Sequence, residues 1–198
     1  MKPVRVVTGR AVPLDRSDVD TDQIIPSEWL KRIERTGYGD GLFSEWRQDP
    51  GFVLNRAEHD GAVILVAGDN FGIGSSREHA VWALVDYGFQ AVVSSRIADI
   101  FKSNSTRSGL VPVEVTPEIG RQLLDAVVHD PALKITVDVD KRLIEAPAAG
   151  ISADFAIDDA ARERLLGGLD DVALTLGHAR EIGDFEENRP RWLPRVTT

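Results

Sequence analysis

The chain has 198 residues, 42% of them hydrophobic, with 32 acidic against 23 basic side chains and a formal net charge of −9. That balance argues against a nucleic-acid surface but not against a small anionic substrate, whose site depends on local charge. The absence of cysteine excludes disulfides, a catalytic thiol and a cysteine-bound iron–sulfur cluster in this chain. No apolar run reaches about 18 residues and Met1 to Arg5 lacks a signal-peptide apolar core, so a soluble cytoplasmic protein with no membrane partner is expected. The size suits a single α/β domain over residues 1–198, with an extended helical tail from about 158.

A strand is predicted over Val4 to Val12, followed by the acidic loop Asp15 to Asp22. As an EF-hand starting at Asp18, that loop would put Ile24 at a ligand position and Trp29 where a bidentate Glu belongs, so a turn and helix cap are expected rather than calcium. Ser27 to Trp46 reads as an amphipathic helix and loop packed on the core, its second half loosened by Gly37, Gly39 and Gly41. Ala62 to Ala67 is a continuous apolar run of the length of a buried strand.

Gly68-Asp69-Asn70-Phe71-Gly72-Ile73-Gly74-Ser75-Ser76-Arg77-Glu78-His79-Ala80 then leads into a helix with an apolar face at Ala80, Trp82, Ala83, Leu84 and Tyr87, stopping at Gly88. Ser75 and Glu78 have capping-box spacing, which alone would make Ser75 a plain helix cap. The whole segment says more: Gly72 and Gly74 allow close backbone approach, helix-start N–H groups favour an anion, and Arg77 adds a bidentate fork. Such a site suits a small di- or tricarboxylate. It lacks the third glycine of a dinucleotide fingerprint, the Gly-Lys-Ser/Thr of a P-loop and the G-x-S-x-G of a hydrolase elbow. His79, just after the motif, reads as structural.

Further on, strands are expected at Gln90 to Ser94 and Leu110 to Val115, flanking a helix from Ile97 to Arg107 that stops at Gly109. Thr116-Pro117 starts a helix running to about His129, a dipole partner at its C-terminus. Lys134 to Asp138 and Arg142 to Ala146 form a hairpin about Asp140-Lys141, Asp158 to Leu166 is a helix ended by Gly167-Gly168, and a last helix spans about His178 to Asn188.

Asn70 to Ala80 resembles the active-site signature of the swivelling domain of aconitase-type hydro-lyases. Asp18-Val19-Asp20-Thr21-Asp22-Gln23-Ile24-Ile25-Pro26 is similar to that family's N-terminal loop. Ile97 to Asn104 with Gly109-Leu110-Val111-Pro112 is similar to its second βα unit, and Gly167 to Leu176 resembles the tail of the isopropylmalate-type bacterial small subunits. The resemblance implies a swivelling β/β/α domain like the C-terminal domain of aconitase. It also implies a lyase of leucine biosynthesis that interconverts 2-isopropylmalate and 3-isopropylmalate through 2-isopropylmaleate. By the same resemblance Ser75 removes the proton and Ser76 and Arg77 bind substrate carboxylate. Substrate specificity would lie after the Ile-Ile-Pro loop, where Leu30 and Ile33 are candidates for an isopropyl pocket. No metal or cofactor is expected on this chain; a 4Fe-4S cluster is expected on the cysteines of a large subunit, with the site at the interface. The alternatives are a related hydro-lyase of homoaconitase or methylmalate/citraconate type, or a non-catalytic anion-binding module.

Overall fold

The computed structural model describes residues 1–31, 36–190 and 192–193. It is mixed α/β, as expected, and is built on a seven-stranded sheet of order β6-β5-β3-β1-β7-β8-β9. Four strands are parallel: β1 (Val6–Leu14), β3 (Ile64–Ala67), β5 (Ala91–Ser94) and β6 (Val111–Glu114). The other three, β7 (Lys134–Asp138), β8 (Leu143–Ala146) and β9 (Ile151–Asp154), continue from β1 as an antiparallel meander. The sheet curls until its edges meet, Ala156 donating its N–H to the Glu114 carbonyl at 3.2 Å.

Curling gives the sheet an inside and an outside, and β3 shows how the sequence serves both. Ile64 and Val66 join one core cluster, and Leu65 and Ala67 the other. A strand buried on both faces has no polar alternation to show, which is why residues 62–67 read as an unbroken apolar run. Inside lies α4 (Pro117–His129), packed on β1, β3, β5 and β9 through buried Leu123, Leu124 and Val127. Each such side chain contributes about 1.5–3 kcal/mol by leaving water. Thr116 caps it, accepting from the Ile119 N–H, and Pro117 opens it, as the sequence predicts.

Outside lie α2 (Glu78–Tyr87) and α3 (Asp99–Ser108), ended by the left-handed Gly88 and Gly109. Beyond them α5 (Asp159–Gly167) buries Leu165, whereas α6 (Asp171–Gly177) and α7 (Ala179–Glu187) bury no residue and expose Val172, Leu176, Ile182 and Phe185.

Several elements differ from expectation. The first strand begins at Val6 rather than Val4, because the Val4 N–H is taken by the Leu165 carbonyl at 2.8 Å, and it runs on to Leu14 to pair with β3. In place of one helix after Ser27, the described residues form short 3₁₀ turns at Ser27–Lys31, Tyr38–Gly41 and Trp46–Gln48. Close packing dictates this: a Cβ on Gly39 would sit 2.9 Å from the Tyr87 nitrogen, and one on Gly41 2.6 Å from the Trp29 ring. Strand β9 and helix α6 were not expected as elements.

Candidate active site

The site is assembled where three loops cross beyond the C-terminal ends of the parallel strands, the usual place for ligands in such sheets. The loop after β3 turns into β4 (Phe71–Ile73), which pairs in parallel with β2 (Val19–Asp20). Below it, the Ser94 hydroxyl reaches the Gly68 and Arg96 carbonyls at 2.6 and 2.9 Å, and the Phe71 N–H donates to the Arg96 carbonyl at 2.9 Å. Beside it, the Asp69 N–H donates to Ser17 Oγ at 3.1 Å and Asn70 Nδ2 to Asp18 Oδ1 at 2.6 Å. Asn70 and Asp18 both hold positive φ, 63° and 56°, a conformation more open to Asn and Asp than to other side chains. The third loop is anchored by Glu114, whose Oε2 accepts from the Ile97 N–H at 3.0 Å and from Lys102 Nζ at 3.2 Å. Burial alone would lower the Lys102 pKa, but hydrogen bonds to Asp99 and Glu114 outweigh it and hold the ammonium above its ordinary value.

Gly72 and Gly74 have different reasons to be glycine. Gly72 is buried with φ +75°, and a Cβ there would lie 2.4 Å from Phe101 Cγ. Its requirement comes from packing under the site. Gly74 is exposed with φ +87°, beside Asp20 and Thr21. It turns the chain so that Ser75 and Ser76 come out on the surface.

Ser75 does not cap the helix that follows, so the plain-cap alternative that its spacing with Glu78 allowed is not the one adopted. Helix α2 starts at Glu78 with Arg77 at the N-cap position and no side chain capping it. Ser75 is instead drawn toward α1 (Thr21–Ile24), where buried Thr21 donates its hydroxyl to the Ser75 carbonyl at 2.9 Å. Among the described residues the Ser75 and Ser76 hydroxyls have no hydrogen-bond partner, and the N–H groups of Ser75, Ser76 and Arg77 have none on the backbone. An uncapped helix start with free donors in front of it is an anion site in waiting.

Arg77, its side chain 19% exposed, ion-pairs through Nη1 with Asp22 Oδ1, from a carboxylate that is 54% exposed. Asp22 follows Thr21 directly, so one short helix holds the serine loop at two points. The motif-based reading of residues 68–80 missed both contacts; residues 18–26 drew notice as an acidic turn and helix cap and as a resemblance, not as partners of the serine loop. Asp20 braces α1 through a reciprocal cap, accepting from the Gln23 N–H at 2.8 Å while its own N–H donates to Gln23 Oε1 at 3.0 Å.

A hollow of about 240 Å³ adjoins Asp22, lined by Asp20, Gln23, Pro26, Ser27, Glu28 and Glu45. Leu30 does not line it and is partly buried against the outer core, and Ile33 lies outside the described residues. A larger cavity of about 700 Å³ lies between α3, β6 and α5; none of Ser75, Ser76 or Arg77 lines it, so size does not mark the chemistry here. His79 packs its ring against Tyr38 and Trp82, at centroid distances of 5.4 and 4.7 Å, the structural role expected of it.

The donor set does not fit an iron–sulfur cluster: there is no cysteine, and among the described residues no three His, Asp or Glu side chains are grouped to hold a metal. No helix among them is long and apolar enough to cross a membrane. What the arrangement offers is a guanidinium, amides without a backbone partner among the described residues and two exposed hydroxyls.

Comparison with known proteins agrees with that chemistry. Residues 1–118 match the family model of the aconitase C-terminal domain. The chain is 59% identical over 196 residues to the 3-isopropylmalate dehydratase small subunit of Rubrobacter xylanophilus, covering 99% of this chain and 100% of that protein. It is 61% identical over 194 residues to the protein of the same name from a Parafrankia species, covering 98% of each. Among solved structures it is similar to 3-isopropylmalate dehydratase from Methanocaldococcus jannaschii, with a TM-score of 0.66 and 26% identity over 90% of this chain and 98% of that one.

Proposed function

The chain belongs to the aconitase C-terminal domain family, among its 3-isopropylmalate dehydratase small subunits, and from that premise we propose how its residues serve the reaction. Joined to a large subunit, it acts as half of a hydro-lyase of leucine biosynthesis, in the cytoplasm, interconverting 2-isopropylmalate and 3-isopropylmalate through 2-isopropylmaleate. Residues 1–198 act as one swivelling unit, its helical tail included.

Dehydration of a hydroxy diacid needs clamps on its carboxylates, a base for the carbon-bound proton and help for the departing hydroxyl. Arg77, with Ser76 and the free amides before α2, takes a carboxylate. Gly72 and Gly74 shape that turn, Gly72 by letting the chain pack on Phe101. Ser75 takes the proton, and Leu30 and Ile33 receive the isopropyl group. A 4Fe-4S cluster, which the large subunit rather than this chain would hold, would supply Lewis-acid help for the departing hydroxyl.

The observation that carries this reading is the uncapped start of α2, with Arg77 at its mouth and the exposed Ser75 and Ser76 before it. It also explains why the chain alone should be inert. A helix N-terminus contributes at most about 2 kcal/mol, and one pKa unit corresponds to about 1.4 kcal/mol, so the helix cannot ionise a serine near neutral pH. The charge of Arg77 is meanwhile shared with Asp22. Substrate and partner must complete the field. Mixing the chain with its large subunit and following 2-isopropylmaleate absorbance tests the assignment, with turnover expected only in the mixture. Faster turnover of homocitrate than of isopropylmalate would move it to a homoaconitase-type enzyme, and binding of a dicarboxylate without turnover in any complex would reduce it to an anion-binding module.

A further inference from the structure

We propose that Thr21 is a positioning residue for the Ser75–Ser76 peptide, an inference that rests on the role given above to the serine pair. The hydroxyl of Thr21 is buried, the residue being 1% exposed, and it donates to the Ser75 carbonyl at 2.9 Å. Burial of this hydroxyl has a use only if it is satisfied, and its one acceptor among the described residues is the backbone of the residue given the role of base above.

The bond does two things. It fixes the plane of the peptide after Ser75, and with it the Cα from which the hydroxyl swings. In a trans peptide the carbonyl and the following N–H point in opposite directions, and no peptide among the described residues is cis. With the Ser75 carbonyl drawn inward to Thr21, the Ser76 N–H is turned away from α1. Ser76 is exposed, and its N–H has no backbone partner among the described residues. A single buried hydroxyl thus sets both the base and one donor of the carboxylate clamp. Neighbouring geometry keeps it there: the Asp20–Gln23 reciprocal cap fixes the start of α1, and Gly74, at φ +87°, passes 3.8 Å from Thr21 Oγ1 as measured from the position a Cβ would take. Asp22, next in sequence, holds Arg77. Serine, amide and guanidinium are therefore registered on one four-residue helix.

The test compares Thr21→Ala with Thr21→Ser, which differ only in the hydroxyl, in the complex with the large subunit. Thr21→Ser is expected to keep kcat/KM within about threefold of the parent, and Thr21→Ala to lose about tenfold to a hundredfold, the scale of an ångström-sized misplacement. The Ser75 carbonyl carbon shift, measured by NMR on the isolated chain, reads the same hydrogen bond without turnover; it should move in Thr21→Ala and stay in Thr21→Ser. Equal kcat/KM in the two variants, or equal carbonyl shifts, overturns the proposal. If the parent complex turns over nothing, the functional reading fails, and the carbonyl shift still decides whether Thr21 holds Ser75.

Discussion

Replacing Gly72 with alanine separates packing from ligand approach as the reason for glycine beneath the site. At φ +75° an L-residue is strained by about 1–2 kcal/mol. The new methyl would also start 2.4 Å from Phe101 Cγ and 2.7 Å from Cδ2, inside a ring that is itself buried and in edge contact with Phe71. Overpacking of that kind adds about 1–3 kcal/mol, for a total of roughly 2–5 kcal/mol. Gly150 is a matched control: its φ is +68°, yet a Cβ there meets nothing within 4 Å, so Gly150→Ala should cost the backbone term alone. For a chain of this size about 1 kcal/mol shifts the melting temperature by about 2–4 °C. By calorimetry of the isolated chain, Gly72→Ala should therefore melt roughly 2–12 °C below Gly150→Ala. Equal melting temperatures would show that Phe101 does not hold the loop, and would remove the packing explanation for Gly72.

Arg77→Lys keeps the charge but loses the planar fork, and should lower kcat/KM of the complex by about tenfold or more with little change in melting, since the pair to half-exposed Asp22 contributes no more than about 1 kcal/mol; unchanged kcat/KM would mean that Arg77 does not grip a carboxylate. His59 precedes strand β3, whereas the serine loop follows it. Burial holds the His59 pKa below the ordinary 6.5, with Glu58 opposing and Arg56 and Arg10 assisting, and its Nδ1 is buried without a partner among the described residues. A group depressed in the folded state contributes stability above the unfolded value that is lost as pH falls through the folded one. The parent should thus lose stability from about pH 6.5 downward more steeply than His59→Leu in urea titrations, and parallel slopes would exclude His59 as the cause.

The sequence was most legible where a signal is local. The apolar run 62–67, the Gly88 and Gly109 stops and the Thr116-Pro117 start each report chemistry within a few residues, and the structure has a strand, two helix ends and a helix start there. It was least legible where the decisive contact is distant. Ser75 and Glu78 have the spacing of a cap, but a hydroxyl 54 residues away draws the Ser75 backbone elsewhere, and the helix starts later and uncapped. Asp22 and Arg77, 55 residues apart, carry no mutual signature at all. Gly72 suggested ligand approach because a glycine beside a hydroxyl pair looks the same whether a ligand or Phe101 lies opposite. Around residues 36–48 the amphipathic pattern was real, but Gly39 and Gly41 serve backbone and ring contacts that a regular helix could not make.

The central assignment, that this chain brings the base and the carboxylate clamp to a reaction whose metal belongs to its partner, is tested most directly by Ser75→Ala in the reconstituted complex. With assembly and melting unchanged, as an exposed side chain with no partner among the described residues allows, kcat should fall by about 10² to 10⁴, the usual share of a positioned base, while KM changes little. Full turnover by the Ser75→Ala complex would contradict it.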